Sequence, residues 1–179
     1  MDKTTVRKQL KARLSTLCEE EKAKKSQAIA ERVLHSPEYS RTHSLFLFLS
    51  TPDEPDTRPL IAKALADGKK VYLPRITEQD LFLVPYDLTT PLTPNRYGIF
   101  EPEGEGESVT PDLALIPLLG FDREKHRLGR GKGYYDRFLC SYRGTSFALA
   151  FSEQEWEKVP VQEFDRNPDA VITDKEMII

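Results

Sequence analysis

Thirteen residues, Arg127 to Leu139 (RLGRGKGYYDRFL), hold three glycines, three arginines and one lysine, and run through Tyr134, Tyr135 and Asp136. Glycines let backbone N–H groups come close to an anion while Arg and Lys neutralise it, which is the composition of a phosphate cradle. Two familiar versions are excluded by spacing. A Walker A loop needs GxxxxGK followed by Ser or Thr, whereas here Gly133 follows Lys132; a dinucleotide fingerprint needs GxGxxG, whereas the spacing here is GxGxG. A flexible basic surface turn is the competing reading of the same composition. Tyr134 to Leu139 is helix-compatible, so the glycines feed a helix N-terminus, whose dipole also favours an anion. Asp136 in that first turn suits a Mg2+ bridging phosphates, with a capping or dipole role as the alternative.

Other candidates are weaker taken singly. Lys3 and Arg7 are four apart on one face of the first helix, near its positive end, a conflict that a bound anion would remove. A solvated basic face is the plainer reading, given Lys8, Lys11 and Arg13 nearby. Glu54, in STPDEPD, follows an apolar run and could accept from the N–H groups of a heterocycle, whereas turn chemistry accounts for Asp53 and Asp56. Arg75 closes VYLPR with the same ambiguity. His35, His43 and His126 form no metal or triad grouping, no serine sits in a GxSxG elbow, and Cys140 reads as a small core residue.

The elements that must carry these residues alternate. Val6, Leu10, Leu14 and Leu17 have helical spacing, a second helix starts near Glu19, and Leu60–Ala66 is a third, ended by Gly68. SLFLFLS (44 to 50), KKVYLPRI, LFLVPY, LALIPLLGF, SFALAF and AVITD are short apolar runs, most without alternation, as in strands buried on both faces. They predict an α/β fold with a mostly parallel sheet covered by helices, and LTTPLTPNRYGIFEPEGEGES between them reads as a long functional loop. Ligands of open α/β sheets bind beyond the carboxyl ends of strands, where TPDEPD, RITEQD and the glycine-rich stretch all fall.

With 179 residues the chain fits a single domain, 1–179. Its net charge of -3 argues against a nucleic-acid backbone as partner, so the anion it binds is small and held locally. Cys18 and Cys140 give no disulfide framework, and no apolar run suits a signal peptide or a membrane span; a cytoplasmic monomer acting without membrane or nucleic acid is the expectation.

The combination of LALIPLLGFD, RLGRGKGYYDRFL, FLSTPDEPDT, YGIFEP and an N-terminal K-T-T-V-R closely resembles the 5-formyltetrahydrofolate cyclo-ligase (methenyltetrahydrofolate synthetase) family, from Lys3 to about Thr173. The resemblance implies ATP-dependent cyclisation of 5-formyltetrahydrofolate to 5,10-methenyltetrahydrofolate, releasing ADP and phosphate with Mg2+. It implies a three-layer α/β sandwich related to the ribose-phosphate isomerase and CoA-transferase group. Arg127, Leu128, Gly129, Arg130, Gly131, Lys132, Gly133, Tyr134 and Tyr135 would form the ATP loop, with Lys132, Arg130 and Tyr134 closest to the chemistry. Lys3 and Arg7 would contact the nucleotide's phosphates, Leu49 and Glu54 the folate, and Asp136 the metal. PVQEFDRNPDAVIT gives Asp165 as a second metal-side acid, with Asp169 as its rival. One departure is Lys125-His126, where the family often has a small residue with a glycine. A non-catalytic nucleotide- or RNA-binding module built on GRGKGYY, and a sugar-phosphate isomerase on the same fold, are the competing classes.

Overall fold

The computed structural model describes residues 1–179. Helix α1 (Lys3–Leu14) begins where Asp2 accepts from the Thr5 N–H at 2.8 Å, and buries Val6, Leu10 and Leu14 along one stripe. Helices α2 (Glu19–Leu34) and α3 (Pro37–Arg41) lead into strand β1 (Ser44–Leu47), then α4 (Arg58–Ala66), β2 (Lys70–Ile76) and β3 (Leu81–Tyr86). After β4 (Leu92–Pro94) and β5 (Phe100–Pro102) come β6 (Leu113–Ile116), β7 (Gly120–Phe121) and β8 (Arg127–Leu128). Helix α5 (Tyr134–Ser141), β9 (Thr145–Leu149), a 3-10 turn at Ser152–Gln154, β10 (Ala170–Ile172) and β11 (Met177–Ile178) complete the chain.

Seven strands form one sheet in the order β11-β10-β9-β6-β1-β2-β3. The five inner strands are parallel, and the edge strands β3 and β11 pair antiparallel. Alternation along each inner strand divides the core: Leu45, Leu47, Leu113 and Leu115 pack with α1, α2 and α4, while Phe46, Ala114, Ile116 and Ala148 meet Tyr135, Phe138 and Leu139 of α5. The result is the three-layer α/β arrangement expected. No helix is long and apolar enough to cross a membrane.

Chain order reverses between β1 and β6. From β1 the chain moves to β2 on one side, and later returns to β6 on the other. The two connections leave in opposite directions at that point and open a crevice at the strands' carboxyl ends, the standard position for a ligand in a doubly wound sheet.

Several local expectations change. The long loop contains the β4–β5 hairpin, in which Thr93 faces Glu101. LALIPLLGF breaks after Ile116, and its end pairs with Arg127–Leu128, so the first two residues expected in a loop are a strand held by backbone hydrogen bonds. Strand β1 stops at Leu47, three residues earlier than its apolar run, and α3, too short to show periodicity, was not foreseen. Cys140 is exposed rather than core, because α5 turns its Phe138–Leu139 side to the sheet.

Candidate active site

A cavity of about 640 Å³ occupies the crevice. Its floor is Phe48 and Leu49 beyond β1 and Pro117 and Leu118 beyond β6. The residues assigned to the ATP loop, phosphates, folate and metal all line it except Leu128, whose side chain is in the core at 1% exposure; the weaker candidates Arg75 and Asp169 do not.

The glycine-rich segment forms one wall. Backbone N–H groups from Gly129 through Asp136 donate to no protein acceptor, the first helical N–H groups of α5 among them. Gly131 and Gly133 have φ of 112° and 75°, left-handed conformations that a side chain would strain, and the bend at Gly133 turns the loop into α5. An array of free amides feeding a helix N-terminus is an anion-binding geometry.

Cations and acids meet around this array in pairs. Lys3 Nζ donates to both carboxylate oxygens of Asp165, at 2.8 and 2.6 Å, and Asp165 also accepts from the Gln162 N–H at 2.8 Å. Arg7 Nε donates to the Gly129 carbonyl at 2.8 Å, its guanidinium lying against Gly131. Arg127, buried in β8, donates from Nε to the Pro117 carbonyl at 2.8 Å, and its Nη1 lies 3.7 Å from Asp136. Burial pushes the Arg127 guanidinium's pKa down, while Asp136, Tyr135, Asp165 and Glu54 pull it back up. The same burial, with Glu54 nearby, raises the Tyr135 hydroxyl well above the ordinary tyrosine value, so it stays protonated.

Glu54 has two tasks, one per oxygen. Oε1 accepts from the Thr51 N–H at 2.9 Å and its hydroxyl at 3.0 Å, which fixes the turn after β1; Oε2 faces Arg130 Nε at 3.6 Å. Glu54 therefore touches the cationic wall from the side of the apolar one.

That opposite wall comes from β2 and the β4–β5 hairpin: Pro74, Ile76, Tyr97, Ile99 and Phe100. Lys132 Nζ lies 5.8 Å from the Tyr97 ring centre. The amide nitrogen of Asn95, also in this wall, is a buried side-chain donor without a partner, while its oxygen accepts from the N–H groups of Tyr97 and Ile99 at 2.9 and 3.1 Å. Asn95, Tyr97, Phe100 and Phe164 were not singled out; the only signals were the length of the 88–108 segment and the YGIFEP and PVQEFD pieces.

Three expectations are redirected. The Tyr134 ring lines the cavity, but its hydroxyl is given to the carbonyls of Thr77 and, at 3.2 Å, Glu78 in the β2–β3 turn. Asp169 lies at the opposite, amino end of the strands, where it accepts from Ser146 N–H at 2.8 Å; Asp165 is the acid beside the cavity. Arg75 donates to the Gly104 carbonyl at 2.6 Å and does not line the cavity.

An α/β protein whose crevice combines free loop amides, clustered cations and carboxylates with an aromatic wall has the chemistry to receive a polyphosphate beside a flat organic molecule. Residues 1–174 match the 5-formyltetrahydrofolate cyclo-ligase family, and the chain belongs to it. It is 34% identical to the Mus musculus 5-formyltetrahydrofolate cyclo-ligase over 188 residues, spanning 95% of this chain and 92% of that one. It is also 34% identical to that of Escherichia coli (strain K12), over 92% and 96% of the two chains. The structure of Aquifex aeolicus 5,10-methenyltetrahydrofolate synthetase superposes with a TM-score of 0.87 at 31% identity, covering 99% of this chain and 92% of that one.

Proposed function

We propose that this protein catalyses ATP-dependent closure of 5-formyltetrahydrofolate to 5,10-methenyltetrahydrofolate, releasing ADP and phosphate. The observation that carries the reading is the meeting of two unlike walls in one cavity, with free amides from Gly129 to Asp136 on one side and aromatic residues on the other. An N-formyl oxygen is a poor leaving group. Its attack on the γ-phosphorus of ATP forms an O–P bond, expels ADP and leaves an N5 iminium phosphate. The N10 lone pair then attacks the formyl carbon, N10 loses its proton, and phosphate departs with the C–O electrons. Phosphoryl transfer asks chiefly for positioning and charge neutralisation.

The loop amides, Lys3, Arg7, Arg130 and Lys132 neutralise the triphosphate, and Glu54 Oε2 accepts from the pterin ring. Leu49, Tyr97 and Phe100 pack on the folate, and the Asn95 amide offers it a donor. Tyr134 and Tyr135 act by packing, since the hydroxyl of the first is already committed. Asp136 and Asp165 supply hard oxygen ligands, and no cluster of three or more acids or histidines exists to cage a metal outright. That donor set fits Mg2+, which is held by one or two carboxylates together with substrate phosphates. Bound there, Mg2+ would neutralise charge on the phosphoryl oxygens.

A nucleic-acid platform needs open cations, and here Lys3, Arg127 and Arg130 face acids inside a cavity. Two exposed free cysteines suit a reducing cytoplasm as the setting of this activity. The test is direct: mix protein, ATP, Mg2+ and 5-formyltetrahydrofolate and follow the near-ultraviolet absorbance of the methenyl product. A folded sample that forms none overturns the reading.

A further inference from the structure

Arg137 does not line the cavity, yet it touches three parts of the structure around it. Its Nη1 donates to the Lys132 carbonyl at 3.0 Å, its Nη2 donates to the Gln79 carbonyl at 3.0 Å, and its guanidinium lies 5.1 Å from the Tyr134 ring centre. Tyr134 meanwhile donates to the carbonyls of Thr77 and Glu78. Two side chains from the first turn of α5 thus hold three consecutive carbonyls of the β2–β3 turn and one carbonyl of the glycine loop.

The loop carbonyl matters most. A trans peptide is planar, and its C=O and N–H point in opposite directions. All peptides here are trans. Drawing the Lys132 carbonyl outward to Arg137 therefore turns the N–H of Gly133, a cavity-lining residue, the other way. Gly133 is also the residue that admits this contact: a side chain there would place Cβ 2.7 Å from Arg137 Nη1, as well as straining its positive φ. The pairing is specific to a fork. A guanidinium spans two carbonyls on separate segments, whereas an ammonium is a single point of charge.

We propose that Arg137 is a positioning residue of the nucleotide site, fixing the Lys132–Gly133 peptide so that its N–H meets a phosphate oxygen, and anchoring that peptide to the β2–β3 turn. The proposal rests on the reading of the loop as an ATP cradle, so the test measures binding rather than turnover. Calorimetric titration of wild type with ATP and with inorganic tripolyphosphate, each with Mg2+, comes first; no binding there would defeat the ATP reading itself. Given wild-type binding, Arg137→Ala should weaken both ligands by at least about tenfold, the loss expected for a charge-assisted hydrogen bond. Affinity for 5-formyltetrahydrofolate should stay within about twofold, and Arg137→Lys should recover only part of the phosphate affinity. Added guanidinium ion, well below denaturing concentration, should restore some tripolyphosphate binding to Arg137→Ala and none to wild type.

Unchanged tripolyphosphate affinity in folded Arg137→Ala overturns the proposal. So does an equal loss for folate, which would mark a general loosening of α5. If Arg137→Ala does not fold, Arg137→Lys decides: full wild-type phosphate affinity counts against the proposal, and a selective several-fold loss supports it.

Discussion

The two ends of the parallel sheet use the same residue types differently. At the amino end, Asp112 Oδ2 accepts from the N–H groups of His43 and Ser44, at 2.8 and 3.2 Å, and Asp169 Oδ2 accepts from Ser146 N–H at 2.8 Å. These carboxylates cap the starts of β1 and β9 by accepting from backbone N–H groups. At the carboxyl end, Asp165 and Glu54 face Lys3 and Arg130 brought from distant parts of the chain, and Asp136 faces Arg127 of its own segment. An acid held by strand amides is a fixture of the fold. One that faces a side-chain cation can exchange it for a ligand.

The largest expected effects lie at the carboxyl end. Asp165→Asn should lower turnover on the order of 10²-fold, as loss of one electrostatic element of an active site does, with little change in Tm. Asp169→Ala should do the reverse: a loss of about 1–3 kcal/mol, seen as a Tm lower by several degrees, with both KM values unchanged. If Asp169→Ala were the variant that lost turnover, the contrast between the ends would collapse. Next, Lys132→Ala should raise the KM for ATP about 10- to 100-fold while that for folate moves little, and Glu54→Ala the opposite. Equal effects on both substrates would erase the division between the two walls.

Asp122 sharpens the rule, because it sits beyond β6 and yet is held mainly by amides. It accepts from the N–H groups of Glu124, His126 and Val159 at 3.0, 3.1 and 2.9 Å, and from the His126 ring at 2.9 Å. Burial works to raise its pKa, but the Val159 N–H and His126 outweigh that and hold it below the ordinary carboxylate value. With a depressed folded pKa, its stabilisation is complete above the unfolded pKa of about 4 and is lost as pH falls through the folded value. Asp122→Asn should therefore melt lower than wild type at pH 7, and the gap should narrow on acidification below about pH 4, followed by Tm against pH. A gap constant across that range would mean the carboxylate charge is not what holds this turn.

The smallest effect concerns Lys125, the one non-glycine residue with positive φ, at 65°. A left-handed non-glycine residue costs about 1–2 kcal/mol, so Lys125→Gly should raise Tm by a few degrees without altering either KM.

The fold's order was legible because the inner strands are buried on both faces and therefore read as unbroken apolar runs, such as SLFL and LALI. Their ends were not, since Phe48 and Leu49 stay apolar after pairing stops in order to floor the cavity. The glycine loop was visible from composition and from the helix behind it. Arg127 was harder to place, because nothing local distinguishes an arginine in a loop from one buried in a two-residue strand; its partners, Pro117 and Asp136, come from the fold. Asp165 and Asp169 are alike in sequence and differ only in which end of the sheet the chain delivers them to. The departure at Lys125-His126 leaves the turn intact, with Lys125 in the conformation a glycine would adopt freely and His126 bonded to Asp122.

If the proposed function holds, the pair between Lys3 and Asp165 would also govern how metal and nucleotide enter. Both oxygens of Asp165 are occupied by one ammonium. A divalent cation arriving alone would have to evict that ammonium with nothing to receive it, whereas one arriving on a triphosphate would bring the anion that draws the lysine away. On the proposed function, the site would thus hold its own counter-ions and trade them at the moment of loading, so the metal–nucleotide complex, rather than either component alone, would be the species that enters.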